Sequence, residues 1–220
     1  MISRPILDVA SHLEIVPCVT YAASCLWNFT IVPGGSDDLT DPDNLSNVIS
    51  FTGTKDEEWF FMVSVAIEAK GAPMIRLMLD AIDTVQHAKK DGADQVVDYL
   101  RDFSNRLQDI QHCLERMGEK CGPDLFFNRL RPLLAGSKNM ADCGLPSGVF
   151  YDLGEGHGGM WRQYYGASNG QSSLIQAFDI FLGVEHSATG GVKSSPSAAS
   201  GYLKVSIYIS SYAVLLIGPF

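Results

Sequence analysis

A hydrophobic stripe in alternating steps of four and three runs from Val96 through Leu100, Phe103, Leu107, Ile110 and Leu114 to Met117, with Asp, Arg, Gln and Asn among the residues between. That spacing marks one face of a long amphipathic helix, which must bury the stripe against something. A coiled-coil partner is the alternative to burial within the chain, at the minimum length for such a reading. Gly118 and Gly122 close this helix, and Pro123-Asp124 opens the next, which carries Phe126 to Arg131. Upstream, Asp56-Glu57-Glu58 sets carboxylates where a helix N-terminus favours negative charge. Trp59 to Ala69 is apolar around most of its circumference, the pattern of a buried helix. Gly71 and Pro73 are expected to break it, leaving Met74 to His87 as a second helix ending in Lys89 and Lys90. A helix begins around Tyr21, and Ser173 to Val184 is the last. Gly34 to Asn44 and Ser137 to Trp161, dotted with Gly, Pro and Asn or Asp, are expected loops. The sum is an all-α fold.

The chain has 220 residues, 46% of them hydrophobic, enough for a substantial core. A net charge of −9 argues against non-specific binding to nucleic acid or anionic membrane, which select for basic patches. Five cysteines, without a close C-x-x-C pair, give neither a disulfide framework nor a zinc site. Reduced thiols and a start lacking a long apolar segment point to a cytoplasmic protein. The sequons at Asn28 and Asn44 are then coincidental. His12, His87, His112, His157 and His186 show no ligand spacing. Ser187 to Gly201 is a Ser/Gly/Ala/Pro linker. Tyr202 to Phe220 carries only Lys204 as a charge, yet is too short and too serine-rich for a span of about 20 apolar residues. A membrane-seeking tail is the alternative there.

Two segments carry chemistry. Gly166-Ala167-Ser168-Asn169-Gly170-Gln171-Ser172-Ser173 packs small, hydroxyl-bearing residues into a loop feeding directly into the apolar run Leu174 to Val184. Such a loop lets backbone approach a flat or bulky ligand closely. Phe126-Phe127-Asn128-Arg129-Leu130-Arg131 puts two aromatics and Arg131 on one short helix. An arginine in apolar surroundings suits a carboxylate, through two parallel hydrogen bonds. The alternative is a surface arginine whose stem covers apolar area. Phe60, Phe61 and Ser64, and Tyr21 with Ser24 and Cys25, read as core from the residues alone, with a ligand wall as the alternative.

Together these motifs resemble the indoleamine 2,3-dioxygenase family. Thr20 to Asn28 is similar to its Tyr-Ala segment, and Trp59 to Ser64 to its Phe-Phe-x-Val-Ser helix. Phe126 to Gly136 resembles Phe-Phe-x-x-Leu-Arg-x-x-Leu-x-Gly, and Leu145 to Tyr151 the loop that follows. Gly166 to Ser173 matches Gly-x-Ser-x-Gly-Gln-Ser-Ser, with Phe178-Asp179 and Leu182-Gly183 continuing it. The wording around Gly183 to His186 is nearest to fungal members. The resemblance implies an all-α large domain that holds heme b and inserts O2 across the indole C2–C3 bond of L-tryptophan, giving N-formylkynurenine. It implies that Arg131 binds the substrate carboxylate and Phe126 packs on the indole. Tyr21, Phe60 and Ser64 would line the pocket, with Ala167 and Ser168 at the distal heme face. No side-chain general base is required, and a monomer is expected.

Three departures stand out. The family's tryptophan after Gly136 is Ser137 here, and its serine before that glycine is Ala135. The third concerns the proximal iron ligand, the histidine of a Met-Pro-x-x-His-Arg helix, a pattern these 220 residues do not contain. The expected organisation is therefore a partial dioxygenase-like helical domain over residues 1–191, incomplete at its C-terminus, then a linker and atypical apolar tail over 192–220. The alternative function is a truncated, non-catalytic helical protein. Incomplete closure of the core is expected to expose the apolar faces of Trp59–Ala69 and Leu174–Val184. AAG-GTA-AGT would encode Lys204-Val205-Ser206 and begin an intron, so residues 205–220 are expected to be translated intron, with a genuine evolved tail as the alternative.

Overall fold

The computed structural model describes residues 2–87, 92–138 and 140–184. The linker and tail expected after Gly191, Lys89, Lys90 and His186 lie outside the described residues. Helices dominate, as an all-α fold requires, accompanied by two small hairpins. No described helix is long and apolar enough to cross a membrane.

By its contacts the chain divides into two units, residues 1–65 with 116–171, and 66–115 with 172–220. The first begins with α1 (Ser3–His12) and a π turn, Ala22–Leu26. Strands β1 (Phe29–Ile31) and β2 (Leu45–Asn47) then pair antiparallel, with Thr30 opposite Ser46. Asn28 ties the two together: its amide donates to Ser24 O and Ile49 O, and its Oδ1 accepts from Ile49 N at 2.8 Å. Buried and fully engaged, Asn28 is no acceptor for a glycan in the folded chain.

Helix α2 (Lys55–His87) starts in this first unit. Its entry is organised by Glu57, whose carboxylate accepts from Phe51 N, Thr52 N and the Ser50 and Thr52 hydroxyls at 2.6–2.8 Å. Trp59 to Ala66 are buried throughout, as their all-round apolarity predicts. The expectation that this face would be exposed is thus overturned for residues 59–66. Trp59 donates its indole N–H to Arg116 O at 2.7 Å, under the Arg116 and Lys120 cations. Those two cations bind Asp43, and Arg116 also binds Asp41 and Glu119. The unit closes with α4 (Met117–Lys120), the near-continuous run α5 (Pro123–Leu125), a π turn Phe126–Leu130 and α6 (Arg131–Leu134), and a hairpin. Val149–Asp152 (β3) and Gly159–Arg162 (β4) form that hairpin where the loop Ser137–Trp161 is expected, ending one residue beyond it. Its signal was masked by glycines: Gly154, Gly156 and Gly158 all have positive φ and turn the chain between short strands.

The second unit contains the rest of α2, α3 (Gly92–Glu115) and α7 (Ser173–Leu182). The expected break at Gly71 and Pro73 does not occur; α2 continues to His87. Pro73 stands on the exposed face, where a lost backbone hydrogen bond costs least. Gly71 is a contact point, since a Cβ there would come within 2.1 Å of Leu174 Cδ2. Around it Met74, Met78, Phe103, Leu107, Ile110, Leu174 and Phe178 form one core, with Phe103 edge-on to Phe178 at 5.4 Å. The α3 stripe is therefore buried within the chain at Phe103, Leu107 and Ile110 and half-buried at Leu114. Its beginning is not: Val96 and Leu100, with Ala81, Ile82, Val85, Gln86, Phe181 and Leu182, line an open groove of about 390 Å³. Met117 falls beyond α3 and opens α4. Leu174 and Phe178 of α7 are buried, so only its outer side, with Ile180, is exposed.

Candidate functional site

All seven residues singled out from the sequence, Tyr21, Phe60, Ser64, Phe126, Arg131, Ala167 and Ser168, fall in the first unit. Two of the segments that carry them are π turns. In each, one extra residue enters the helical turn: Trp27 N–H reaches Ala22 O, and Arg131 N–H reaches Phe126 O, each five residues back. A π turn is rare and locally unfavourable, and is found disproportionately at functional sites. Nothing in hydrophobic periodicity announces it, so the sequence showed these segments only as short helices.

The second π turn carries the cation and two of the aromatic rings. Arg131 lies over the Phe127 ring four residues earlier, 5.3 Å from guanidinium carbon to ring centroid, with Phe127 itself edge-on to Phe126 at 5.5 Å. Phe126 in turn lies 4.9 Å from Phe60. On α2, the Ser64 hydroxyl donates to Phe60 O at 3.0 Å, so its oxygen lone pairs remain available to accept. The structure thus joins Ser64, Phe60, Phe126, Phe127 and Arg131 into one aromatic run ending in a half-buried cation. Phe60 and Phe126 are 6% and 4% exposed, so as placed they are core, whereas Phe127 is 41% exposed. Phe127 is the ring beside Arg131 with an open face, a role the sequence reading did not give it.

The loop segment is set by close backbone packing. A Cβ on Gly136 would fall 2.0 Å from Tyr164 O, and one on Gly166 1.9 Å from Leu134 O. Only glycine allows the end of α6 and the start of the 166–171 loop to run this close. Ser137, at the position where the related pattern has tryptophan, pins the same junction: its hydroxyl donates to Arg162 O at 3.3 Å and accepts from Tyr164 N at 3.1 Å. Within the loop Ser168 accepts twice, Oγ from Gly170 N at 3.2 Å and O from Gln171 N at 2.9 Å. Gln171 links the loop to Tyr21, whose N–H donates to Gln171 Oε1 at 2.8 Å. Tyr21 is buried, while Ala167 and Ser168 are half-exposed.

These residues fit one side of a flat, apolar prosthetic group, because the loop presents small side chains on a tightly held backbone. They do not supply an axial iron ligand. His12, His87, His112 and His157 are all exposed, and no group of three or more potential metal-ligating side chains occurs among the described residues.

These features give an aromatic run with a cation at its end, and comparison with known proteins places the chain in a family. The model of the indoleamine 2,3-dioxygenase family matches residues 1–211. The chain belongs to the indoleamine 2,3-dioxygenase family. It is 44% identical over 198 residues to an indoleamine 2,3-dioxygenase of Aspergillus candidus, covering 87% of this chain and 47% of that protein. With an indoleamine 2,3-dioxygenase of Penicillium citrinum it shares 46% over 184 residues, 83% of this chain and 41% of the relative. A 6-hydroxytryptophan 2,3-dioxygenase of Fusarium equiseti is 34% identical over 186 residues, 84% of this chain and 44% of its own length. The chain therefore spans under half the length of these curated relatives.

Proposed function

We propose that this chain contributes the substrate side of a heme-dependent dioxygenase site that opens the indole C2–C3 bond of L-tryptophan to N-formylkynurenine. The observation that carries the reading is the placement of Arg131 over Phe127, whose ring meets Phe126 of the buried Phe60–Phe126 pair. A fixed cation next to aromatic surface suits an aromatic amino acid: Arg131 takes the carboxylate in two parallel hydrogen bonds, and the Phe126 side of the run receives the indole. Tyr21, Phe60 and Ser64 wall the pocket and keep water from the ring. Ala167 and Ser168 are the residues that would face heme b. Bound heme supplies the oxygen activation. The chain's residues bind, orient and desolvate, and substrate placement is their contribution to rate.

The test is the absorption spectrum of the purified chain given hemin. A Soret band that shifts with CO and again with L-tryptophan supports the reading. A free-heme spectrum indifferent to both overturns it and leaves a non-catalytic helical protein.

A further inference from the structure

Gln171 has no part in the pocket just described, yet its side-chain amide is engaged at both ends. Oε1 accepts from the Tyr21 backbone N–H at 2.8 Å, and Nε2 donates to Gly166 O at 3.0 Å. Tyr21 opens the π turn, so its N–H belongs to the first turn, whose donors find no acceptor inside the helix. Gly166 is the first residue of the loop that carries Ala167 and Ser168, and its other side is already held against Leu134 and Gly136. The Gln171 backbone N–H closes the loop on Ser168 O. One residue thus fixes the loop to itself and to the Tyr21 turn, 150 positions away.

We infer that Gln171 is a positioning residue: its amide ties the Ala167–Ser168 loop to the Tyr21 turn and so sets the affinity of the pocket for its aromatic ligand. The inference rests on the reading that Tyr21, Ala167 and Ser168 belong to one pocket. An amide is the side chain this bridge demands, because it offers an acceptor and a donor on one rigid plane. A glutamate keeps the acceptor for Tyr21 but turns a second acceptor toward Gly166 O, and a leucine offers neither.

The experiment uses the full chain as parent, Gln171→Leu and Gln171→Glu. Amide hydrogen exchange at Tyr21 is read without hemin, and an L-tryptophan titration of the Soret band with it. In Gln171→Leu, exchange at Tyr21 should quicken about tenfold and tryptophan bind about tenfold more weakly, with far-UV circular dichroism unchanged. Gln171→Glu should retain Tyr21 protection and bind with intermediate affinity. A Gln171→Leu chain that exchanges or titrates like the parent overturns the positioning role and leaves the pocket reading standing. If that variant does not fold, Gln171→Glu decides, and parent-like affinity overturns the role. A parent without any tryptophan-dependent shift overturns the pocket reading, and the positioning role with it.

Discussion

Glu57 is fully buried, and burial alone would push its carboxyl pKa up. The Thr52 hydroxyl, the Phe51 and Thr52 amides and the Ser50 hydroxyl outweigh that effect and hold it below the ordinary glutamate value. The folded pKa is therefore lower than the unfolded one. The stability this difference contributes is fully present above the unfolded value, about 4.3, and is lost as pH falls through the folded value. Gln at this position keeps the shape but loses the charge-assisted bonds, so Glu57→Gln should cost roughly 1–3 kcal/mol at neutral pH. Urea midpoints of parent and variant should converge on acidification; a gap that stays constant from pH 7 to below 4 would refute this account. Arg131 is a residue of a different kind, half-buried over Phe127. Arg131→Ala should leave hemin binding intact and weaken tryptophan binding by about 2 kcal/mol, the low end for a charge-assisted contact because water reaches the guanidinium. Unchanged tryptophan affinity in the Soret titration would remove Arg131 from the site.

At the scale of elements, α2 shows how tertiary packing overrides a local rule. Gly71 and Pro73 carry the two poorest helix propensities, yet the helix runs through both. Their substitutions should part company. Gly71→Ala improves propensity by about 1 kcal/mol but drives a methyl into buried Leu174, and overpacking of that kind costs about 1–3 kcal/mol, so the net effect is destabilising. Pro73→Ala meets no such contact on its exposed face and restores a backbone donor, which should stabilise by about 1–3 kcal/mol. Thermal melts of the two variants, moving in opposite directions, check both statements at once. The junction of α6 with the 166–171 loop allows no such relief. Alanine at Gly136 or Gly166 meets backbone rather than a side chain, and either should disturb the loop more than Gly71→Ala disturbs α2.

For the molecule as a whole, the groove among the ends of α2, α3 and α7 is an open apolar surface. Ile82, Val85 and Leu100 are exposed there, while Phe103, Leu107 and Ile110 of the α3 stripe are buried. A hydrophobic dye such as ANS should bind this groove, and a single Leu100→Glu should reduce its fluorescence without lowering the melting temperature, because Leu100 contributes little to the core. Fluorescence untouched by that substitution would place the dye elsewhere.

Helix type, the burial of residues 59–66 and the family were legible in the sequence, since each depends on short-range periodicity or on residues adjacent along the chain. The amphipathic stripe named α3, all-round apolarity named the buried part of α2, and ordered motifs named the indoleamine 2,3-dioxygenase family. Three features became visible only in the folded structure. Gly71 holds its place in α2 because Leu174, a hundred positions on, needs its missing side chain. The two π turns arise where one extra residue is accommodated locally, and periodicity averaged over a helix does not register it. Gln171 links Tyr21 to Gly166 because folding brings a backbone donor and a backbone acceptor within reach of one amide. A motif fixes which residues are present; which of them touch is settled by packing at long range.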